Sequence, residues 1–364
     1  MPEICPFIHH SLGSLSHYKN HSKPRVGGEI FLDAPMQSSF IVRLICSILV
    51  GIFCLTHFTI HAQNYPTRLV VSQDGKGDYR TIQEAVNAVR DHTQVPVQIV
   101  IKAGVYAEKL VIPSWKPSVH LIGEDRNHVV ITGADYTGLA HPDAYRDPTG
   151  RETFHTYTTH TVLVDAPFVI LENLTIQNTA GRVGQAVALH VEADHFIAKN
   201  CSIFGNQDTL FAAREGTRQY YENCTITGTT DFIFGKAIAV FQSCVIHSLS
   251  NSYITAAATP KGQKAGFVFL DCMLTADQAV TKVYLGRPWR PYAQTVFIRT
   301  NMGAHILPEG WDNWRNKANE KTAFYAEFGS FGQGGDISKR AQWSKQLTRT
   351  EAKKSTIETI FGKH

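Results

Sequence analysis

The sequence contains little charge for its length. Charged residues make up only 18% of its 364 residues, and the formal net charge is +4. A nucleic-acid-binding surface needs a dense basic patch, so this composition gives no electrostatic case for nucleic acid as a partner. Hydrophobic residues reach 43%, which is enough for a sizeable core and excludes a disordered or fibrous chain. A polyanionic polysaccharide remains an allowed partner.

A long hydrophobic run is also missing. The uncharged apolar stretch from Leu44 to Ile60 has 17 residues, which falls short of the ~20 that span a membrane comfortably. It follows a basic residue and precedes His-Ala-Gln, which favours a secretory signal cleaved near Ala62 over a membrane anchor. The signal has an ordinary length when it is counted from Met36. We therefore expect residues 1–62 to be an upstream extension plus a signal, and residues 63–364 to be one domain that is secreted or periplasmic.

Cysteine is scarce, and four of the seven cysteines mark a repeat beyond the leader. Similar segments recur at spacings of 27, 23, 20 and 28 residues: ENLTI from Glu172, KNCSI from Lys199, ENCTI from Glu222, QSCVI from Gln242 and LDCML from Leu270. The third and fifth residues of each segment point to the same side of a strand. Short strands at this period predict an all-β fold, the right-handed parallel β-helix, in which each coil stacks on the last. Leucine-rich repeats share the period, but here the spacing drifts and their leucine ladder is missing.

Segments outside the repeat complete the predicted solenoid. Strand-like runs lie upstream, from Val97 to Ile101, Val119 to Ile122 and Val129 to Thr132. The open ends of a solenoid need caps. Thr81 and Glu84 have the spacing of a helix capping box, and the stretch from Arg349 to Phe361 also has a helical pattern. We therefore expect short capping helices near each end.

Two aspartates occupy equivalent positions on neighbouring coils. Asp208 lies seven residues after Cys201, and Asp231 lies seven residues after Cys224. Parallel strands stack at about 4.8 Å, so the two carboxyl groups are expected almost directly above one another. Two acidic groups this close cannot both ionise freely, which makes an acid and a nucleophile from one residue type. The alternative is that these aspartates cap turns or bind a cation.

Two glutamines favour catalysis at this pair. Gln207 directly precedes Asp208, and Gln185 falls in the same column one coil earlier if the four extra residues of its coil lie in 180–184. Amide N–H groups suit an oxyanion better than a hard cation. The histidines, in addition, show no spacing typical of metal ligands.

Four motifs occur in order along the chain: Gln185-Ala-Val-Ala-Leu, Gln207-Asp-Thr-Leu, Asp231-Phe-Ile-Phe-Gly and Leu285-Gly-Arg-Pro-Trp. Two shorter segments add to them, Gly104-Val-Tyr-Ala-Glu108 and Tyr325-Ala-Glu327. Together these motifs resemble those of the pectin methylesterases (pectinesterases), and the similarity extends from about Leu69 to Phe361. The resemblance implies a right-handed parallel β-helix that removes methyl esters from the galacturonosyl units of pectin without a metal or other cofactor.

The same resemblance implies a role for each residue of the site. Asp231 would be the nucleophile and Asp208 the general acid, later the base, with Arg287 holding Asp231 ionised. Gln185 and Gln207 would stabilise the oxyanion. The implied partner is pectin, as methyl-esterified homogalacturonan, and we expect a monomer that binds no nucleic acid.

Three aromatic residues near these motifs are candidate substrate contacts. Trp289 and Trp311 lie in a long stretch rich in proline and glycine, where exposed rings could stack on sugar faces. Phe232 directly follows the predicted nucleophile. Burial in the core is the alternative for each ring.

Other functions fit part of this pattern. A retaining glycosidase on a β-helix also needs two carboxylates about 5 Å apart. A pectate lyase would need a calcium-binding acidic cluster, and a non-catalytic polysaccharide-binding solenoid would need only the groove. Methanol release without new reducing ends separates the esterase from the glycosidase.

The cysteine column raises the question of a disulfide. Export to an oxidising compartment favours disulfides, and only cysteines on adjacent coils lie close enough to form one. Cys224 and Cys244 flank the shortest coil, so we favour a bond between them. Four free thiols are the alternative.

Overall fold

The chain winds into a solenoid of three parallel sheets. The structure is a computed structural model that describes residues 65–142 and 150–362. A typical coil contributes one strand to each sheet, so neighbouring strands of a sheet come from successive coils. This is the right-handed parallel β-helix that the repeat predicted. The described residues form one compact unit.

The three sheets differ in length. The first has eleven strands: β1 Arg68–Val71, β2 Val97–Ile101, β5 Val119–Gly123, β8 Ile170–Glu172, β11 Phe196–Lys199, β14 Arg218–Glu222, β17 Ile238–Gln242, β20 Phe267–Leu270, β23 Gln294–Ile298, β25 Phe324–Phe328 and β26 Lys345–Gln346. The second has seven: β4 Leu110–Ile112, β7 Val162–Val164, β10 Leu189–Val191, β13 Leu210–Ala212, β16 Ile233–Gly235, β19 Tyr253–Ala257 and β22 Tyr284–Gly286. The third has eight: β3 Gly104–Ala107, β6 Val129–Gly133, β9 Thr175–Asn178, β12 Ser202–Phe204, β15 Thr225–Gly228, β18 Val245–Ser248, β21 Met273–Ala276 and β24 Asn301–Met302.

Short helices lie near both ends, as predicted. Helix α1 (Ile82–Ala88) begins with the expected capping box, in which the Thr81 side chain accepts from the Glu84 N–H and the Glu84 carboxylate accepts from the Thr81 N–H. Near the other end, helices α2 (Arg349–Ala352) and α3 (Ile357–Phe361) flank a 3₁₀ turn, Lys353–Ser355. Two further 3₁₀ turns span Lys317–Lys321 and Gln333–Gly335.

The predicted leader, with its Met36 start and its cleavage near Ala62, lies outside the described residues. None of the helices that the structure describes is long and apolar enough to cross a membrane.

The repeat places one residue of each coil at a sharp turn and the next residue in the core. The inward column is buried, as predicted: Leu174, Cys201, Cys224, Cys244 and Cys272. The residue before each of them has a positive φ, between 49° and 58°: Asn173, Asn200, Asn223, Ser243 and Asp271. Short polar residues tolerate this left-handed conformation better than most. The turn therefore explains the polar residue that precedes each cysteine of this column.

The predicted disulfide between Cys224 and Cys244 is not formed. Within the described residues, all four cysteines are free thiols and buried. Each sulfur already has partners: Cys224 Sγ donates to the Ala198 carbonyl at 3.5 Å, and Cys244 Sγ donates to the Tyr221 carbonyl at 3.4 Å. The thiols pack as small core residues, so the alternative of four free thiols is the one that the structure has.

A buried ion pair anchors the C-terminal segment to the solenoid. The Arg340 side chain is 4% exposed and the Glu327 side chain 0%, and Arg340 donates to both Glu327 oxygens, at 2.8 and 3.2 Å. Arg340 also donates to the carbonyls of Leu307, Pro308 and Gly334. This one guanidinium therefore connects the loop after β24 to the core of the first sheet.

Candidate active site

Asp208 and Asp231 lie at the same edge of the second sheet. The pairing of Leu210 with Ile233 puts each aspartate two residues before an aligned strand position, as the equal offsets predicted. Both are non-glycine residues with positive φ, 63° for Asp208 and 50° for Asp231. Their N–H groups donate to carbonyls of the next coil, at 3.1 Å to Thr230 and 2.9 Å to Tyr253. Aspartate tolerates this left-handed conformation better than most residues, and the two backbone hydrogen bonds hold it in place.

Arg287 binds Asp231 through two hydrogen bonds. Its Nε donates to Oδ1 at 2.9 Å and its Nη2 donates to Oδ2 at 2.7 Å. The Asp231 side chain is 8% exposed and that of Arg287 is 21% exposed, so water screens this pair poorly. A Cβ on Gly286 would overlap Thr255 Oγ1. Because glycine has no Cβ, the coil that carries Arg287 can pack closely on its neighbour.

The two carboxyl groups differ in their electrostatic surroundings. Burial raises the pKa of Asp208 well above its ordinary value. The charge of Asp231 raises this pKa further, and the charge of Arg287 opposes the shift. Burial also raises the pKa of Asp231, but here the hydrogen bonds and charge of Arg287 directly oppose it. Asp208 is therefore the carboxyl that keeps its proton, and Asp231 is the one that ionises first. This difference in pKa supplies one proton donor and one nucleophile side by side.

Both predicted glutamines reach the same cleft. Gln185 and Gln207 line a cavity of about 250 Å³ together with Asp208, Asp231 and Arg287. The predicted alignment of Gln185 with Asp208 is wrong by one residue, because Gln185 pairs with Gln207. Within β10 the pairing is regular, with Leu189 opposite Leu210, but just before β10 the register of the two coils differs by one residue. The two amides consequently lie on adjacent coils beside the carboxyl pair.

Aromatic rings form one wall of the cleft. Trp289 lines it, as predicted, and meets Phe234 edge-on with ring centroids 6.1 Å apart. Phe234 stacks on Phe211 at 4.3 Å with the rings 3° from parallel. Phe211 and Phe234 were not predicted from the sequence, although each lies three residues after one of the two aspartates and has the same offset. Tyr157 and Trp314 were not predicted either, because they come from distant loops and leave no such signal.

Two predicted substrate contacts are corrected. Trp311 is 3% exposed and packs between Phe297 and Tyr325, at centroid distances of 5.9 and 4.5 Å. Phe232 is 0% exposed and belongs to the main core, although the residue before it, Asp231, lines the cleft. Neither ring has a face available to a sugar.

Comparisons with known proteins show the family to which the chain belongs. The Pectinesterase family model matches residues 68–363. Pectinesterase 31 of Arabidopsis thaliana is 37% identical over 290 residues, which cover 79% of this chain and 90% of that protein. "Probable pectinesterase/pectinesterase inhibitor 23" of the same plant is 36% identical over 78% of this chain, and the chain spans only 50% of that relative's length.

A solved structure gives the same result. The pectin methylesterase from carrot superposes with a TM-score of 0.73 at 33% sequence identity, covering 81% of this chain and 93% of the carrot chain. The family model thus covers most of the chain, and both sequence and fold agree with it. The chain belongs to the pectinesterase family of carboxylic ester hydrolases.

Proposed function

We propose that this protein hydrolyses methyl esters of galacturonosyl units in pectin and releases methanol through an acyl-enzyme on Asp231. The observation that carries the proposal is the Asp231–Arg287 pair beside a buried carboxyl, Asp208, whose pKa is raised. Family membership supports the reaction class, and the open cleft with its aromatic wall fits a polysaccharide.

In the first half-reaction, an Asp231 oxygen attacks the ester carbonyl carbon. The carbonyl oxygen becomes an oxyanion, toward which the amide N–H groups of Gln185 and Gln207 donate. Asp208 gives its proton to the methoxy oxygen as the bond to carbon breaks, and methanol leaves. The galacturonosyl carboxyl is then joined to Asp231 as an acid anhydride.

In the second half-reaction, water replaces methanol. The Asp208 carboxylate takes a proton from water, and the resulting hydroxide attacks the galacturonosyl carbon of the anhydride. Asp231 departs as a carboxylate, which Arg287 stabilises through its two hydrogen bonds. The sum is one ester plus one water giving one acid and one methanol, with Asp208 protonated again.

The leader supports a proposal for where the reaction occurs. An exported chain that begins near residue 63 would meet pectin outside the cytoplasm, and we propose that it acts there as a monomer. N-terminal sequencing of the secreted protein tests the cleavage near Ala62. Size-exclusion chromatography with light scattering tests the monomer.

Methanol release from highly methylated pectin tests the function. Asp231→Asn and Asp208→Asn should each lower turnover by about 10²–10³ or more. The matched control is Asp271→Asn. Asp271 has a similar backbone, with φ of 53°, and a similar two-bond contact to Arg299 on the outer face, so this variant should remain active.

Three results would reject the proposal. Near-normal activity in a folded Asp231 or Asp208 variant would remove the catalytic assignment. New reducing ends would indicate a glycosidase, and loss of activity on adding a chelator would indicate a calcium-dependent lyase. Binding of pectin that survives in Asp231→Asn, with no methanol from the unmodified enzyme, would indicate a non-catalytic solenoid.

A further inference from the structure

Both faces of the Arg287 guanidinium are covered by aromatic rings. Its central carbon lies 3.9 Å from the ring centroid of Tyr253 and 3.8 Å from that of Trp314. A guanidinium stacked on an aromatic face is held by cation–π attraction, which is stronger where water is excluded. With both faces covered, only the edge of the guanidinium remains for hydrogen bonds, and that edge meets Asp231.

Tyr253 supports both members of the ion pair. Its carbonyl oxygen accepts the Asp231 N–H at 2.9 Å, while its ring lies against Arg287. Tyr253 pairs with Tyr284 on the next coil, and the two rings stack at 5.3 Å with only 13° between them. The ring therefore has a fixed position on the coil between Asp231 and Arg287.

Trp314 reaches the other face from a separate loop. It has a φ of 60°, a conformation that a bulky residue rarely adopts. Its N–H donates to Asp312 Oδ1 at 2.7 Å, and the Asp312 N–H donates to the carbonyl of Gly286 at 3.2 Å. The loop is thus attached to the residue just before Arg287, and it places the indole ring against the guanidinium.

We propose that Tyr253 and Trp314 are positioning residues that clamp the Arg287 guanidinium in the plane of the Asp231 carboxylate. This inference rests on the proposed function, because it assigns the clamp a role in keeping the nucleophile ionised. Without the rings, the long arginine side chain can rotate and Asp231 loses one or both hydrogen bonds. The rival explanation is that Trp314 is only a wall of the cleft that contacts sugar.

The two explanations predict different pH profiles. The titratable and charged groups around the ion pair are Arg287, Asp208, Asp312 and Tyr253, with Tyr284 stacked on Tyr253. Arg287 opposes the rise in the pKa of Asp231 that burial causes. If Arg287 no longer holds its hydrogen bonds to Asp231, the pKa of Asp231 rises. The nucleophile then ionises only at a higher pH. The loss of a sugar contact raises KM and leaves the acidic limb of kcat/KM where it was.

The test is the pH dependence of methanol release by the purified enzyme and its variants. Trp314→Leu and Tyr253→Leu remove the ring, and each should lower kcat about tenfold and move the acidic limb up by about half to one pH unit. Tyr253→Phe keeps the ring and should leave the limb unchanged. Trp314→Phe should give a smaller shift in the same direction, because phenylalanine binds cations less strongly than tryptophan. Trp115→Leu, at a tryptophan that is 48% exposed and lies elsewhere, is the matched control.

An unmoved acidic limb in the folded Leu variants, with a raised KM alone, would overturn the clamp. If circular dichroism shows that neither Leu variant folds, Trp314→Phe decides, and an unshifted limb there overturns the clamp as well. A wild-type enzyme that releases no methanol would reject the proposed function and the clamp together. An active wild type with unmoved variants rejects the clamp only.

Discussion

Replacing Asp208 by asparagine should stabilise the folded protein at neutral pH while it inactivates the enzyme. Asp208 is 9% exposed, and burial and the charge of Asp231 raise its pKa well above 3.8. The folded chain therefore keeps a proton on this carboxyl at pH values at which the unfolded chain has released it. Since the unfolded state then binds fewer protons than the folded state, the free energy of unfolding falls as the pH rises through this window.

The size of the effect follows from the same linkage. Each pH unit in the window costs up to about 1.4 kcal/mol, and asparagine, which has the shape of the protonated acid, removes that cost. We expect Asp208→Asn to raise the free energy of unfolding by about 1–3 kcal/mol at pH 7 and by about zero at pH 4. Asp231→Asn should gain less, because Arg287 already offsets part of the cost of burying this carboxylate.

Urea denaturation at pH 4 and pH 7, followed by tryptophan fluorescence, measures these differences. Asp271→Asn is again the matched control, and it should behave in the opposite way. Hydrogen bonds from Arg299 lower the pKa of Asp271, so its loss should destabilise by less than about 1 kcal/mol at pH 7, with the difference shrinking as the pH falls. A destabilised Asp208→Asn variant at pH 7, or a gain of equal size at both pH values, would refute the reasoning.

Three other measurements address separate parts of the molecule. Gln185→Ala should lower kcat by about 10²–10³ with little change in KM, and a rise in KM alone would make Gln185 a substrate contact instead of an oxyanion donor. Glu327→Leu should lower the free energy of unfolding, measured by urea denaturation, by about 3–5 kcal/mol, because it leaves the Arg340 guanidinium buried without its partner. Adding Arg340→Met to this variant should recover most of the loss. Thiol titration of the mature enzyme should find no reactive cysteine in the native state and four free thiols after denaturation without a reductant. A count of two free thiols would show that a disulfide is present after all.

Most of the fold was predictable because the inward column repeats in the sequence. Each of the five repeat coils carries a polar residue at a left-handed turn and a buried apolar residue after it, and both leave a local signature that recurs with the coil length. The spacing of 23 residues between Cys201 and Cys224 therefore also fixed the offset between Asp208 and Asp231. Gln185 was misplaced by one residue because the extra residues of its coil do not repeat, so the sequence gives no marker for the register there.

Residues brought to the site by irregular loops could not be predicted. Trp311 and Trp314 lie three positions apart, yet Trp311 is in the core and Trp314 is in the cleft. The loop reverses there because Trp314 and Arg315 adopt left-handed conformations that nothing in their side chains favours. Which of the two rings reaches the substrate depends on this backbone detail and on the pairing of Gly286 with Trp311, neither of which leaves a periodic pattern.

The free-energy cost of the left-handed backbone at Asp208 and Asp231 arises when the chain folds. A left-handed conformation costs a typical residue about 1–2 kcal/mol and aspartate less, and here it is held by hydrogen bonds to the Thr230 and Tyr253 carbonyls. That cost falls on folding, when the coils stack, and not on substrate binding. The carboxyl groups are consequently preorganised before a polymer arrives, and binding need not spend energy on ordering them. A rigid solenoid can in this way present the same reacting geometry to each successive sugar unit along a chain.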